Sequence, residues 1–299
     1  MITLYLNPQD SIQSILDTYP IDTEIHLFLG EGIYHQKLKI KHEIIHIYGS
    51  KTGETKITYR DYAYKMHDDG LLYNTFRTST VMILSKEAYL YDLTIENASG
   101  SGFTIGQGIA LTLYGLKNKL ENSKLIGHQD TLFLGPLPLD LCERYDHFLP
   151  LDERVTHQTF SIFNHCHIEG DVDFIFGSGT ALFNECVILA KAKGYIAAPS
   201  TYESFPYGFI FYKSKIISLT DESVYLARPW RTYGATLFYL CQFEGLFDEN
   251  RYQDWDKPSF RFKEYPYISS KFSSSLSEGE IEQLQNLIQA SLRSCSTTK

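Results

Sequence analysis

Basic residues are in deficit: 27 Lys and Arg against 36 Asp and Glu leave a formal net charge of −9. So acidic a chain is a poor partner for nucleic acid or an anionic membrane surface. The same field disfavours a polyanion unless local cations or neutral ester groups offset it. No apolar run approaches the length of a membrane-spanning helix. Residues Met1 to Asp10 lack both the basic and the apolar regions of a signal peptide. If Met1 is the native start, a cytoplasmic protein is expected; otherwise the protein is a secreted one. Cysteine is scarce and odd in number, and five do not make a disulfide framework. There is no Gly-x-Ser-x-Gly, so a serine esterase would lack its nucleophile elbow. Helical periodicity between the strands is also missing, which excludes a doubly wound α/β fold.

What is abundant is aromatic: 22 Tyr and 19 Phe against 2 Trp. Strand packing accounts for most of these, and sugar-binding grooves use the same residues. Period-two segments begin at Ile25–Leu29 and continue through Lys37–Ile40, Ile44–Tyr48, Val81–Leu84, Ala88–Ile95, Ile109–Leu113 and Thr236–Leu240. A short helix is expected at the N-terminal end and another helix at the C-terminal end. Ser11–Asp17, with a Ser or Asp cap before Ile12, would close one end of the strand array. After a serine-rich loop from Ser269, apolar residues at 281, 284, 287, 288 and 292 form a helical stripe, so loop and helix together occupy about 269–295.

The strands carry an internal repeat. Gly127-His128-Gln129-Asp130-Thr131-Leu132-Phe133 matches Gly170-Asp171-Val172-Asp173-Phe174-Ile175-Phe176, and upstream Ser123-Lys124-Leu125 lies over Cys166-His167-Ile168. Cys166 precedes Cys186 by 20 residues, again at equivalent positions. A period near twenty points to a right-handed parallel β-helix, here one domain over 1–299. Cys166 and Cys186 are then expected as stacked, reduced core residues, the less favoured alternative being a disulfide. Stacking would also set Asp130 and Asp173 about 4.8 Å apart, one strand spacing. Two such carboxylates do not readily ionise together, so one keeps its proton while the other is charged. Ser123 precedes Cys166 by 43 residues, so about one coil's length of chain is inserted. The insert, about 135–158, contains Pro136, Pro138 and Pro150 and reads as an excursion beside the paired aspartates.

Four blocks in order now resemble the pectin methylesterases: Gly102-x-x-x-x-Gln107-x-x-Ala110-Leu111, Gly127-x-Gln129-Asp130-Thr131-Leu132, Gly170-x-Val172-Asp173-Phe174-Ile175-Phe176-Gly177 and Leu226-x-Arg228-Pro229-Trp230. The insert looks more like the bacterial members. The resemblance implies removal of methyl esters from homogalacturonan or its oligogalacturonide fragments, with Asp173 as nucleophile and Asp130 as acid and base. It implies Gln129 and Gln107 as donors to the tetrahedral intermediate and substrate, and Arg228 as the cation that orients Asp173. Trp230 would be a stacking face for sugar and Thr75 a substrate contact. It implies no cofactor and no metal, and a monomer is expected. Departures include Gln36 where Glu is usual, Ala227 where glycine is common before the Arg-Pro-Trp block, and Tyr252 in place of a first tryptophan, which bears on the outer sugar subsites while Trp255 is kept.

Taken singly, each residue has a plainer reading: turn caps for the aspartates, a solvated charge for Arg228, core for Trp230, a buried amide for Gln107. His165 and His167, alternating on a strand, would share one face, but no third metal ligand stands at a sensible spacing. Rival functions are a thioesterase, polygalacturonase or pectate lyase on the same scaffold, or a sugar-binding solenoid without activity.

Overall fold

In the computed structural model, which describes residues 1–296, the chain winds as a parallel β-helix of three sheets. Eleven strands form the first sheet, eight the second and seven the third, with every named strand pair parallel. Each full coil contributes one strand to each sheet. Apolar side chains that point inward from all three sheets make one continuous core.

The corner between the first and second sheets recurs in one form. Asp92, Asn122, His165, Glu185, Lys213 and Leu240 all have φ between 49° and 56°. A single left-handed residue turns the chain sharply between two strands. That corner splits the segment expected as one strand over Ala88–Ile95 into Glu87–Tyr91 and Thr94–Asn97, with Asp92 at the bend. It also removes the premise that His165 and His167 alternate on one strand. His165 sits in the corner facing Glu185 at 3.6 Å, whereas His167 pairs with Glu169 at 3.0 Å. The residue after each bend turns inward, which places Cys166 and Cys186 one above the other as buried free thiols.

Four α-helices lie among the described residues: α1 (Ile12–Leu16), α2 (Gly102–Ile105), α3 (Leu139–Arg144) and α4 (Glu278–Ser296). Before α1 runs a strand, Ile2–Leu6, that the period-two reading did not anticipate. Helix α1 buries Ile12 and Leu16 and abuts Leu38–Ile40, the edge strand of the third sheet. Ser11 stands at its N-cap, yet its side chain bonds only to Ser14. The amide of Gln36 does the capping, accepting from Ile12 N at 2.8 Å and donating to Asp10 O at 2.7 Å. Gln13 treats the exposed edge likewise, accepting from Lys39 N and donating to Lys39 O. Both amides substitute for a missing strand, which is how an edge is kept from pairing elsewhere. The serine-rich segment before α4 is not all loop, because Ser274–Ser275 pairs with Lys263 and Glu264. Helix α4 buries Leu284 and Ile288 against Leu182, Ile210 and Leu237 on the outside of the eleven-stranded sheet.

Inside the coils Phe163, Phe183, Phe211 and Phe238 stack in one column, with centroids 4.7, 4.7 and 4.5 Å apart. Parallel register makes this column, since these residues are direct partners from strand to strand. Phe183→Ala removes a ring flanked on both sides and is expected to cost about 3–5 kcal/mol. Urea unfolding of the variant measures it; a loss below about 1 kcal/mol would show that the column is not a packing unit.

Candidate active site

Leu132 and Phe133 pair with Ile175 and Phe176 in adjacent coils of the seven-stranded sheet, and Asp130 N donates to Val172 O at 3.0 Å. This register brings Asp130 and Asp173 to the same corner, one coil apart. Both have left-handed backbones, with φ of 65° and 50°, a conformation that aspartate tolerates better than most residues. Thr75, Gln107, Gln129, Arg228 and Trp230 converge there too, so all seven residues singled out from the sequence line one open pocket of roughly 440 Å³.

Local contacts set each side chain. Gln129 passes over Gly102, where a Cβ would lie 2.5 Å from that of Gln129, so the glycine makes room for the amide. Thr75 begins a short 3-10 turn whose first N–H is capped by Asn74 Oδ1 at 2.9 Å. The next residue, Phe76, anchors that turn edge-on against Phe133. Trp230 is half-buried and packs edge-on against Phe176. Ala227 holds a regular strand position with its methyl in the core, followed by a ladder bond from Arg228 N to Ala197 O.

Arg228 reaches Asp173 with both arms of its fork, Nε to Oδ1 at 2.9 Å and Nη2 to Oδ2 at 2.5 Å. Its guanidinium is held between two rings, Tyr195 at 4.1 Å and Trp255 at 4.3 Å. Tyr195 had no sequence signal, being a lone tyrosine at a strand start. Trp255 is therefore a wall of this pocket. Tyr252 has no part in a sugar subsite, because it is wholly buried against Phe238 and Phe262.

Burial lifts the Asp130 carboxyl well above the ordinary carboxylate range, and the neighbouring Asp173 lifts it further. Burial raises Asp173 as well, but the contact with Arg228 pulls it back. Arg228 itself loses by burial and more than recovers through Asp173, so it stays charged. Both carboxyls are thus raised, Asp130 the more, so of the two Asp130 favours the proton and Asp173, in contact with Arg228, favours the charge.

The insert borders this pocket. Asp140 at the start of α3 receives Nε and Nη2 of Arg231 at 3.0 and 2.8 Å, tying the insert to the Arg-Pro-Trp block. Asp140, Leu141, Arg144 and Tyr145 line the pocket. Two other rings of the insert do not: Phe148 faces a neighbouring groove under Arg77, and His147 is exposed.

A family model described as pectinesterase matches residues 9–135 and 151–273. The chain belongs to the pectinesterase family. Residues 136–150, within the insert expected over about 135–158, are the internal stretch that the pectinesterase model leaves unmatched. Pectinesterase QRT1 of Arabidopsis thaliana is 29% identical over 259 residues, which is 83% of this chain and 62% of that protein. This chain thus spans less than two thirds of that relative's length. Solved structures share its right-handed parallel β-helix: pectin methylesterase PemA from Erwinia chrysanthemi superposes with a TM-score of 0.72 at 24% identity, covering 93% of this chain and 94% of that one. A pectin methylesterase in complex with a hexasaccharide superposes with a TM-score of 0.71 at 24% identity, covering 92% and 91%.

Because the folded state raises the Asp130 pKa, the stabilising contribution of its proton is complete below the unfolded value of 3.8 and is lost as pH rises through the folded value. Asp130→Asn has no such loss. Its Tm advantage over the wild type is expected to grow as pH is raised from 4 toward 8, and a Tm difference independent of pH would contradict the raised pKa.

Proposed function

We propose that this protein is an aspartyl esterase that removes methyl esters from homogalacturonan or its oligogalacturonide fragments and releases methanol. The observation that carries the proposal is the asymmetry of the pair: Arg228 grips both oxygens of Asp173, while Asp130, one coil away, is buried, which raises its pKa. In this reading Asp173 attacks the ester carbonyl carbon, and the carbonyl oxygen becomes an oxyanion within reach of the Gln107 and Gln129 amides. Collapse breaks the bond to the methoxy oxygen, which leaves with the Asp130 proton as methanol. A water then gives its proton to Asp130 and attacks the mixed anhydride, freeing galacturonate and restoring Asp173. The family membership and the hexasaccharide held by a fold relative support a polygalacturonan as the substrate. Arg144, Arg231 and Lys257 at the pocket rim offset the net negative charge of the chain locally.

Methanol release from methylated oligogalacturonides tests the reading. Asp173→Ala is expected to lower kcat on the order of 10⁴-fold while the fold persists; retention of a tenth of the activity would remove Asp173 from the role. The acid limb of the pH profile reports Asp173 losing its charge as pH falls. Arg228→Ala, which withdraws the cation that touches Asp173, is expected to move that limb upward. Arg228→Lys should be poor as well, since an ammonium lacks the fork and the flat face held between Tyr195 and Trp255. An unchanged limb in Arg228→Ala, with only KM raised, would make Arg228 a binding residue.

The wall built by the insert gives the proposal a preference in substrate length: short methylated oligogalacturonides are expected to show higher kcat/KM than long pectin. Asp140→Ala unpins the wall from Arg231 and should narrow that difference. Equal kcat/KM on both substrates, before and after the substitution, would show that the insert does not select for length.

A further inference from the structure

The outside of the eleven-stranded sheet differs at its two ends. Helix α4 covers the C-terminal part, while the N-terminal part carries two columns of stacked rings. Tyr5, Phe28, Tyr48 and Tyr91 form one, with centroids 5.1, 4.5 and 5.1 Å apart. His26, His46 and Tyr89 form the other, at 4.1 and 4.6 Å. Register alone explains the stacking, because His26 pairs with His46 and His46 with Tyr89. It does not explain what surrounds the two histidines.

Glu24 lies two residues before His26 on the same face of its strand. Its Oε1 is 3.0 Å from His26 Nε2 and 3.8 Å from His46 Nε2. On the opposite edge of both rings the Tyr48 hydroxyl stands 3.3 Å from His46 Nδ1 and 3.5 Å from His26 Nδ1. A hydroxyl oxygen has two lone pairs and can accept from both Nδ1–H groups. That tautomer leaves both Nε2 lone pairs on the side of Glu24. Two imidazole nitrogens and one carboxylate oxygen then lie within 4.8 Å of one another. Ligand atoms on a tetrahedral ion at 2.0–2.1 Å are about 3.3 Å apart, so the three atoms are near enough to share one ion once the two stacked rings turn out of parallel.

We propose that Glu24, His26 and His46 bind a divalent transition ion of the zinc class, which ties the strands Glu24–Leu29 and Ile44–Tyr48 together at the N-terminal end of the β-helix. The donor set selects the class: imidazole suits zinc, nickel and copper(II), whereas calcium and magnesium demand more oxygens than one carboxylate supplies. Water completes the coordination. The rings, now 10° from parallel, splay so that their lone pairs converge, and Tyr48 holds the tautomer from the outer side, as second-shell partners of metal-bound histidines do. The plainer alternative is that Glu24 only accepts a hydrogen bond from His26. The site is on the outside of a different sheet from the aspartate pair, so it stands or falls independently of the esterase proposal.

Calorimetric titration of the full chain with Zn²⁺, after treatment with EDTA and its removal, tests the site. The expected result is a saturable site of one ion per chain, weakened about tenfold or more in His46→Ala and in Glu24→Gln, and about tenfold in Tyr48→Phe, which keeps all three ligands but loses the outer contact. Glu24 is on the exposed rim, so Glu24→Gln guards against a folding defect in the more buried His46 variant, and far-UV circular dichroism checks both. Nitrogen-15 NMR adds a direct readout: the Nε2 signals of His26 and His46 should move on adding Zn²⁺, while those of His165 and His167 stay in place. No saturable site, an isotherm unchanged in both Glu24→Gln and His46→Ala, or a shift confined to the other histidines would overturn the proposal.

Discussion

Two carboxylates one strand spacing apart in one corner repel each other, and the guanidinium of Arg228, in contact with only one of them, favours the charge there. Arg228 touches both oxygens of Asp173. Asp130, the more deeply buried of the two, has that charge only at a distance, and its pKa is raised the more. The division between an ionised and a protonated aspartate thus depends on the position of one side chain. That side chain is itself clamped between Tyr195 and Trp255. Removing solvent from a cation and its partner is costly unless the geometry is good, and a fork held between two rings supplies that geometry.

The β-helix is what makes so close a pair possible. Parallel register repeats every side chain at the strand spacing, whether the residue is a core phenylalanine, a corner thiol or a corner aspartate. Inside the coils this repetition stabilises, because rings and methyl groups stack on their own kind. At Asp130 and Asp173 it does the reverse, placing like groups together and holding both in left-handed backbone. Such strain, of order 1–3 kcal/mol per residue, accumulates where surrounding structure over-determines the conformation, and here the ladder of buried strands on either side supplies the constraint.

Much of this arrangement was legible in the sequence because it is periodic. The match of Gly127–Phe133 to Gly170–Phe176 is the observed register, and the inward placement of Cys166 and Cys186 follows from the same spacing. What periodicity could not show are the points where it stops. Asp92 is an unremarkable residue within an apolar run, yet its φ of 56° divides one expected strand between two sheets. Tyr195 is distant in sequence from everything it touches at Arg228. The insert announced itself by its length and prolines, but which face it would present depended on Leu137, Leu141 and Leu149 joining Phe133 and Phe176 in a buried cluster. That packing turned Phe148 and His147 away from the pocket and Asp140 toward Arg231. Likewise the capping of α1 by Gln36 crosses 24 residues, beyond the reach of a local capping rule.

The central claim is that Asp130 holds the proton and Asp173 the charge, and that Arg228 imposes this order. Carbon-13 NMR of the aspartate carboxyl groups, followed through a pH titration of the wild type and of Arg228→Ala, reads it site by site. The account predicts that Asp173 ionises at lower pH than Asp130 in the wild type, and that the gap narrows in the variant because Asp173 moves up. Asp130 ionising first, or a gap untouched by the loss of Arg228, would contradict it.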